Sequence, residues 1–189
     1  MRPWPSPVIG ASPRRGHHVL SSGIAVLALL LSAIVPIASV AGELGVRAGT
    51  GVEGPAYSMA GGYWRPWSAR LVGGEDGWHL TGYAELAAGR VGYREDDLHM
   101  GSAGVGGWVG RGAGPLLVGF GTAPTYISEH RLGGQDFGGG MQFTSHLAIR
   151  WQISRVHSLA YRIQHTSNAG IYSENDGLDL QVLEVGFAY

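Results

Sequence analysis

Asp179-Leu-Gln-Val-Leu-Glu-Val-Gly-Phe-Ala-Tyr189 closes the chain. Leu183, Val185, Phe187 and Tyr189 recur at every second position, with Glu184 on the opposite face between two of them. Successive side chains of a strand point to opposite faces, so this spacing predicts a strand with one apolar and one polar side. The same period runs upstream through residues 158–167, 141–152, 116–128, 98–109, 78–88, 57–67 and 44–50. Turn-formers separate these segments, among them Gly73-Gly-Glu-Asp-Gly77, Gly110-Arg-Gly-Ala-Gly114 and Asn175-Asp-Gly177. Eight short strands at this spacing predict an all-β sandwich or barrel.

Alternation alone does not say which face meets water. Arg47, Glu85, Arg150, Arg162 and Glu184 all fall opposite the bulky apolar residues of their strands. In a soluble sandwich those charges face solvent; in a membrane barrel they face the lumen and the apolar side faces lipid. Three features favour the barrel. First, Arg2, Arg14 and Arg15 precede an apolar run that ends in the small residues Ser39-Val40-Ala41, the parts of a secretory signal over residues 1–41. The run approaches the ~20 residues of a spanning helix, so an N-terminal anchor is the alternative; Pro36 and the small residues fit cleavage better. Second, Trp67, Trp78, Trp108, Tyr126 and Trp151 lie near strand ends, as interfacial girdles require. Third, the aromatic ending at Tyr189 resembles the strand that outer-membrane barrels present to the barrel-assembly machinery. The expectation is an eight-stranded antiparallel transmembrane β-barrel over residues 42–189, in the bacterial outer membrane.

Composition agrees. The 189 residues include no Cys, which excludes a disulfide framework, a thiolate metal site and a thiol nucleophile. The 13 basic residues are all Arg and stand against 14 acids, so there is no basic face for a nucleic-acid partner. Only 14% of residues are charged and 33 are Gly, which is unlike an ordinary soluble core. Eight strands enclose an interior that side chains can fill, so packed polar residues are expected there rather than a pore. An even strand number puts both termini on the periplasmic side. The connections near Gly51 and over residues 90–97, 129–139 and 168–178 then face outward.

The chemistry lies in the last hairpin. Leu159, Tyr161, Ile163, His165 and Ser167 share one face of their strand, and Asp179 begins the same face of the next. A His and a Ser on the lipid face are costly, and a base, a hydroxyl and an acid at one rim have the roles of a Ser-His-Asp triad. Spacing alone leaves other readings open. Polar residues at a strand end can simply meet headgroups, and Asn175-Asp-Gly177 is a turn signal in its own right. Ser145–His146 and His157–Ser158 are adjacent and point to opposite faces, whereas Ser128 and His130 share a loop with Glu129. No His cluster has metal-ligand spacing.

His165-Thr-Ser-Asn-Ala-Gly170, then Asn175-Asp-Gly-Leu-Asp179, then an alternating strand to an aromatic end, resembles the C-terminal signature of the lipid A 3-O-deacylases, the PagL family. The match covers His165 to Tyr189. It implies an eight-stranded outer-membrane barrel that hydrolyses the ester linking a hydroxyacyl chain to the 3-position of lipid A in lipopolysaccharide. It also implies His165 as general base, Ser167 as nucleophile and Asp179 as the acid, with Asn168, Gly170 and Asn175 as candidate oxyanion donors. No metal or organic cofactor is implied, and a homo-oligomer is left open. The family's usual acid is Glu, so the shorter Asp179 leaves Glu174 and Asp176 as alternatives for orienting His165. A non-enzymatic structural or adhesive barrel is the competing function.

Overall fold

The computed structural model describes residues 42–52 and 57–189; the export signal expected over residues 1–41 lies outside them. The strands are β1 (Glu43–Gly51), β2 (Tyr57–Gly73), β3 (Trp78–Tyr93), β4 (Asp96–Arg111), β5 (Leu116–Ile127), β6 (Arg131–Leu132), β7 (Gln135–Asp136), β8 (Met141–Gln152), β9 (His157–Ser167) and β10 (Leu178–Ala188). The eight long ones close into an antiparallel barrel in the order β1-β10-β9-β8-β5-β4-β3-β2, and β6 and β7 form a small hairpin of their own. The eight-stranded expectation holds.

Burial is the inverse of a soluble protein's. Leu147 is 67% exposed on the outer wall, while Arg162 is 1% exposed in the lumen. Val46, Val118, Ile149 and Val185 join Leu147 outside. Such an exterior is stable only against lipid. Inside, Arg65 reaches Glu43 (2.5 Å), Glu85 (2.7 Å) and Glu184 (3.1 Å), and Arg47 reaches Glu85 (3.0 Å) and Glu184 (3.2 Å). Arg150 closes on Glu43. Arg162 Nε stands 2.9 Å from Glu184 Oε1, an ion-pair distance whose angles fall short of a hydrogen bond. Every lumenal carboxylate named here has an arginine partner, which is what burial of charge demands.

The lumen is filled, but not uniformly with polar groups. Towards the long-loop end Tyr57, Met59, Val91, Leu98, Met100, Leu180 and Val182 pack into an apolar cluster. Leu132 from β6 and Phe137, just after β7, sit in that cluster as a lid, 1% and 2% exposed. A second correction concerns residues 90–97. They are not a loop: β3 runs to Tyr93, β4 starts at Asp96, and Arg94 alone takes a left-handed turn conformation (φ 56°) beside Glu95. Tyr93 packs on Tyr57 and Arg90 pairs with Asp97, and the ladder continues to the Tyr93–Asp96 pair at the turn.

The register shows how the strands lean. The paired row that leaves β2 at Ser58 passes Thr50, Gln181, Ile163, Leu147, Phe120, Gly107 and Gly82 and returns to β2 at Ala69. It comes back far nearer the short-turn end than it left. Barrel closure requires such a stagger. A line level with the membrane therefore climbs relative to the paired rows on going from β1 through β10 to β9.

Candidate active site

The outward positions of β9 and β10 carry the sequence's candidate residues. His165 and Asp179 are direct cross-strand partners. His165 Nδ1 stands 2.7 Å from Asp179 Oδ1, with the two side chains 51% and 59% exposed on the wall. A carboxylate at Nδ1 fixes the tautomer that leaves Nε2 as the acceptor. The imidazole leans over Gly177: a Cβ built there would lie 3.1 Å from Cε1 and 3.8 Å from Nε2. Gly177 also takes φ 70°, which suits glycine. The ring's free edge thus faces the outer end of the hairpin. Ser167 is there, half-buried, two residues beyond His165 on the same face, about 7 Å away between Cα atoms.

The rim loop is built by its asparagines. Ala169 (φ 53°) and Gly170 (φ 81°) turn the chain at the end of β9, and Asn168 Oδ1 accepts the Gly170 N–H at 2.8 Å. Asn168 Nδ2 donates to Glu174 O (2.5 Å) and Phe137 O (3.0 Å), and the Asn168 N–H donates to Asn175 Oδ1 (2.9 Å). The buried Asn168 is therefore a staple that binds the β9–β10 loop to the lid. Of the three oxyanion candidates, Asn168 has both amide donors engaged by carbonyls and Gly170 has its N–H engaged. Asn175 keeps an Nδ2 with no hydrogen-bond partner among the described residues.

The alternatives to Asp179 are engaged elsewhere. The Asp176 carboxylate accepts the Asp136 N–H at 2.6 Å, and the Glu174 carboxylate accepts from Ser173. Ser128 Oγ accepts the His99 N–H at 2.9 Å as a strand cap. On sequence alone Ser145 is disfavoured, because its neighbour His146 points to the other face. The register instead places Ser145 directly opposite His165, on the side away from Asp179. That pairing depends on which strands are neighbours, and nothing local in the sequence signals it. Gly177 and the Phe137 anchor escape sequence reasoning for the same reason.

Three comparisons bear on this geometry. A family profile described as lipid A 3-O-deacylase (PagL) matches residues 57–188. The "Lipid A deacylase PagL" of Pseudomonas aeruginosa is 28% identical over 163 residues, covering 82% of this chain and 91% of that relative. The crystal structure of the outer membrane enzyme PagL superposes with a TM-score of 0.64 at 20% identity, covering 77% of this chain and 98% of that one. At that identity the superposition speaks for the fold, an outer-membrane barrel. The profile spans most of the chain and includes the hairpin that carries His165, Ser167 and Asp179: the chain belongs to the lipid A 3-O-deacylase (PagL) family.

Proposed function

We propose that this barrel is an esterase that removes the 3-O-linked hydroxyacyl chain of lipid A, acting from its outer wall. The observation that carries the reading is the His165–Asp179 hydrogen bond on the lipid-facing side, with Ser167 at the same rim. A hydrogen-bonded imidazole and carboxylate that face lipid stabilise nothing in the core, and charge at that position is costly.

Ser167 Oγ attacks the ester carbonyl while His165 Nε2 takes its proton. Asp179 holds the imidazole and stabilises its charged form without itself becoming protonated. The uncommitted Nδ2 of Asn175 serves as oxyanion donor, a contact of the kind worth about 10²–10³ in rate. The tetrahedral adduct collapses with transfer of the proton to the 3-oxygen of the sugar, which leaves as an alcohol. Water, deprotonated by His165, then cleaves the acyl-enzyme and frees a 3-hydroxy fatty acid. The acyl chain lies along Ile163, Leu183 and Val185, all about half exposed on the wall. Lipopolysaccharide in the outer leaflet is the substrate.

The test uses purified protein with lipopolysaccharide in mixed micelles, and mass spectrometry of released fatty acid. Ser167→Ala and His165→Ala each lower the rate about 10³-fold or more, and the double variant is little worse than either single. Both keep the heat-dependent gel mobility of a folded barrel. Release of 3-hydroxy fatty acid by Ser167→Ala at the wild-type rate overturns the mechanism, and a wild type that releases none leaves a non-enzymatic barrel.

A further inference from the structure

One group of polar side chains on the outer wall plays no part in the steps above. Tyr161 on β9 donates its hydroxyl to Gln181 Oε1 at 3.0 Å, and Gln181 Nε2 on β10 donates to Thr50 Oγ1 on β1 at 3.2 Å. They line a groove of about 240 Å³ on the barrel exterior, with Ala48 and Leu183 as its apolar sides. The groove is open because Ala48 is small, while elsewhere this wall carries Leu, Val and Ile. The chain of donors has a direction. Once Thr50 Oγ1 accepts from Gln181, its own O–H proton points onward as a free donor, and Gln181 Nε2 keeps a second proton. Donors without acceptors on a lipid-facing wall cost energy unless something arrives to accept from them.

The lean of the strands sets the height of this groove. Thr50 is paired in row with Gln181 and Ile163, but a level line climbs from β1 to β9. Thr50 therefore stands at about the membrane level of His165, two strands to the side. Strands lie 4.7–4.9 Å apart, a spacing similar to that of packed acyl chains. A lipid whose 3-O-ester meets Ser167 on β9 brings its adjacent acyl chain over β10 and β1.

The geometry points to the Thr50–Gln181–Tyr161 groove as the seat of a second, retained acyl chain of the same lipid, held through an oxygen on that chain. This rests on the deacylase reading above. The oxygen is either the linkage carbonyl at the sugar or a hydroxyl a few carbons down the chain. Gln181 and Thr50 are then specificity-determining residues: they orient the glucosamine so that its 3-ester, and not another ester, meets Ser167.

The experiment uses the full barrel in mixed micelles with two synthetic 3-O-hydroxyacyl glucosamines. One retains an amide-linked 3-hydroxyacyl chain at position 2 and the other a plain acyl chain of equal length. Gln181→Leu and the isosteric Thr50→Val are compared with wild type by kcat and KM, with gel mobility to verify folding; Thr50→Val carries the test should Gln181→Leu fail to fold. Each variant is expected to lower kcat/KM about tenfold, mainly through KM. A loss on the hydroxyacyl substrate alone assigns the chain hydroxyl, and an equal loss on both assigns the linkage carbonyl. Unchanged KM on both substrates in folded variants overturns the groove and leaves the deacylase reading standing. A wild type that cleaves neither overturns the deacylase reading, and the groove with it.

Discussion

The lumen and the outer rim of β9–β10 both carry hydrogen-bonded charges, and they differ in almost every other respect. In the lumen Arg47, Arg65, Arg150 and Arg162 are shared among Glu43, Glu85 and Glu184, all nearly inaccessible. On the rim one imidazole meets one carboxylate and both remain about half exposed. The lumen pairs each of these carboxylates with arginine and seals them from any substrate, although Arg47 Nε, Arg162 Nε and Glu184 Oε1 make no hydrogen bond. The rim leaves Nε2, a serine hydroxyl and an amide uncommitted. In a soluble enzyme perturbed charges inside a cavity are the first place to look for chemistry. In a filled barrel that guide points to the lumen, whereas the proposed site lies on the other side of the wall.

Substitutions can break this contrast. The largest effect belongs to the rim: Asp179→Asn should lower the deacylation rate about 10²–10⁴-fold, because the imidazolium loses its counter-charge and the tautomer is no longer enforced. Unfolding in urea should be unchanged. Asp179→Glu should keep activity within an order of magnitude of wild type. If Asp179→Ala stays near wild-type activity while Glu174→Ala or Asp176→Ala loses it, the acid is misassigned.

The lumen should answer in the opposite sense. Arg162→Met leaves Glu184 and Glu85 each short of one partner at the centre of the cluster. Removing one member of a buried charge pair typically costs about 3–5 kcal/mol, read as a lower urea or thermal midpoint in detergent. Activity per folded molecule should persist. A variant as stable as wild type but inactive would tie the lumen to catalysis and erase the contrast.

The smallest effect sharpens it. Gly177→Ala places a methyl 3.1 Å from the imidazole and strains a backbone at φ 70°. His165 must give by a few tenths of an ångström. The expected result is a loss of about tenfold in kcat, since misplacement by an ångström can cost about 10²-fold. A wild-type kcat for a folded Gly177→Ala would show that the ring is not held by that contact.

The alternation that starts at Asp179 was enough to find the barrel, because a period of two needs only the two faces to differ. It failed where something other than the faces governs the chain. Arg65, the hub of the lumenal cluster, lies at a register shift between Trp64 and Trp67 around Pro66, so parity counted along β2 misplaces the residues beyond it. The outer ends of β3 and β4 carry Arg90, Asp96 and Asp97 beside the Arg94–Glu95 turn, and that run of charges hides the alternation, so residues 90–97 resemble a loop in the sequence. The β6–β7 hairpin has two residues per strand and gives no periodic signal; only the burial of Leu132 and Phe137 reveals it as a lid. At the site, His165, Ser167 and Asp179 were legible because they sit near a single turn. Ser145 and the Thr50–Gln181–Tyr161 groove needed the pairing of β8 with β9 and of β1 with β10, which a lone sequence does not carry.

The wall position of His165 and Asp179 also changes what concentration means for this enzyme. On the proposed mechanism the nucleophile faces sideways into the leaflet and meets substrate by two-dimensional diffusion, and the mole fraction of lipid beside it varies little with anything dissolved in water. Such a catalyst has no entrance to block. Dilution of the medium does not slow it, a water-soluble analogue competes poorly, and its rate in the membrane follows how tightly its lipid neighbours pack against one another.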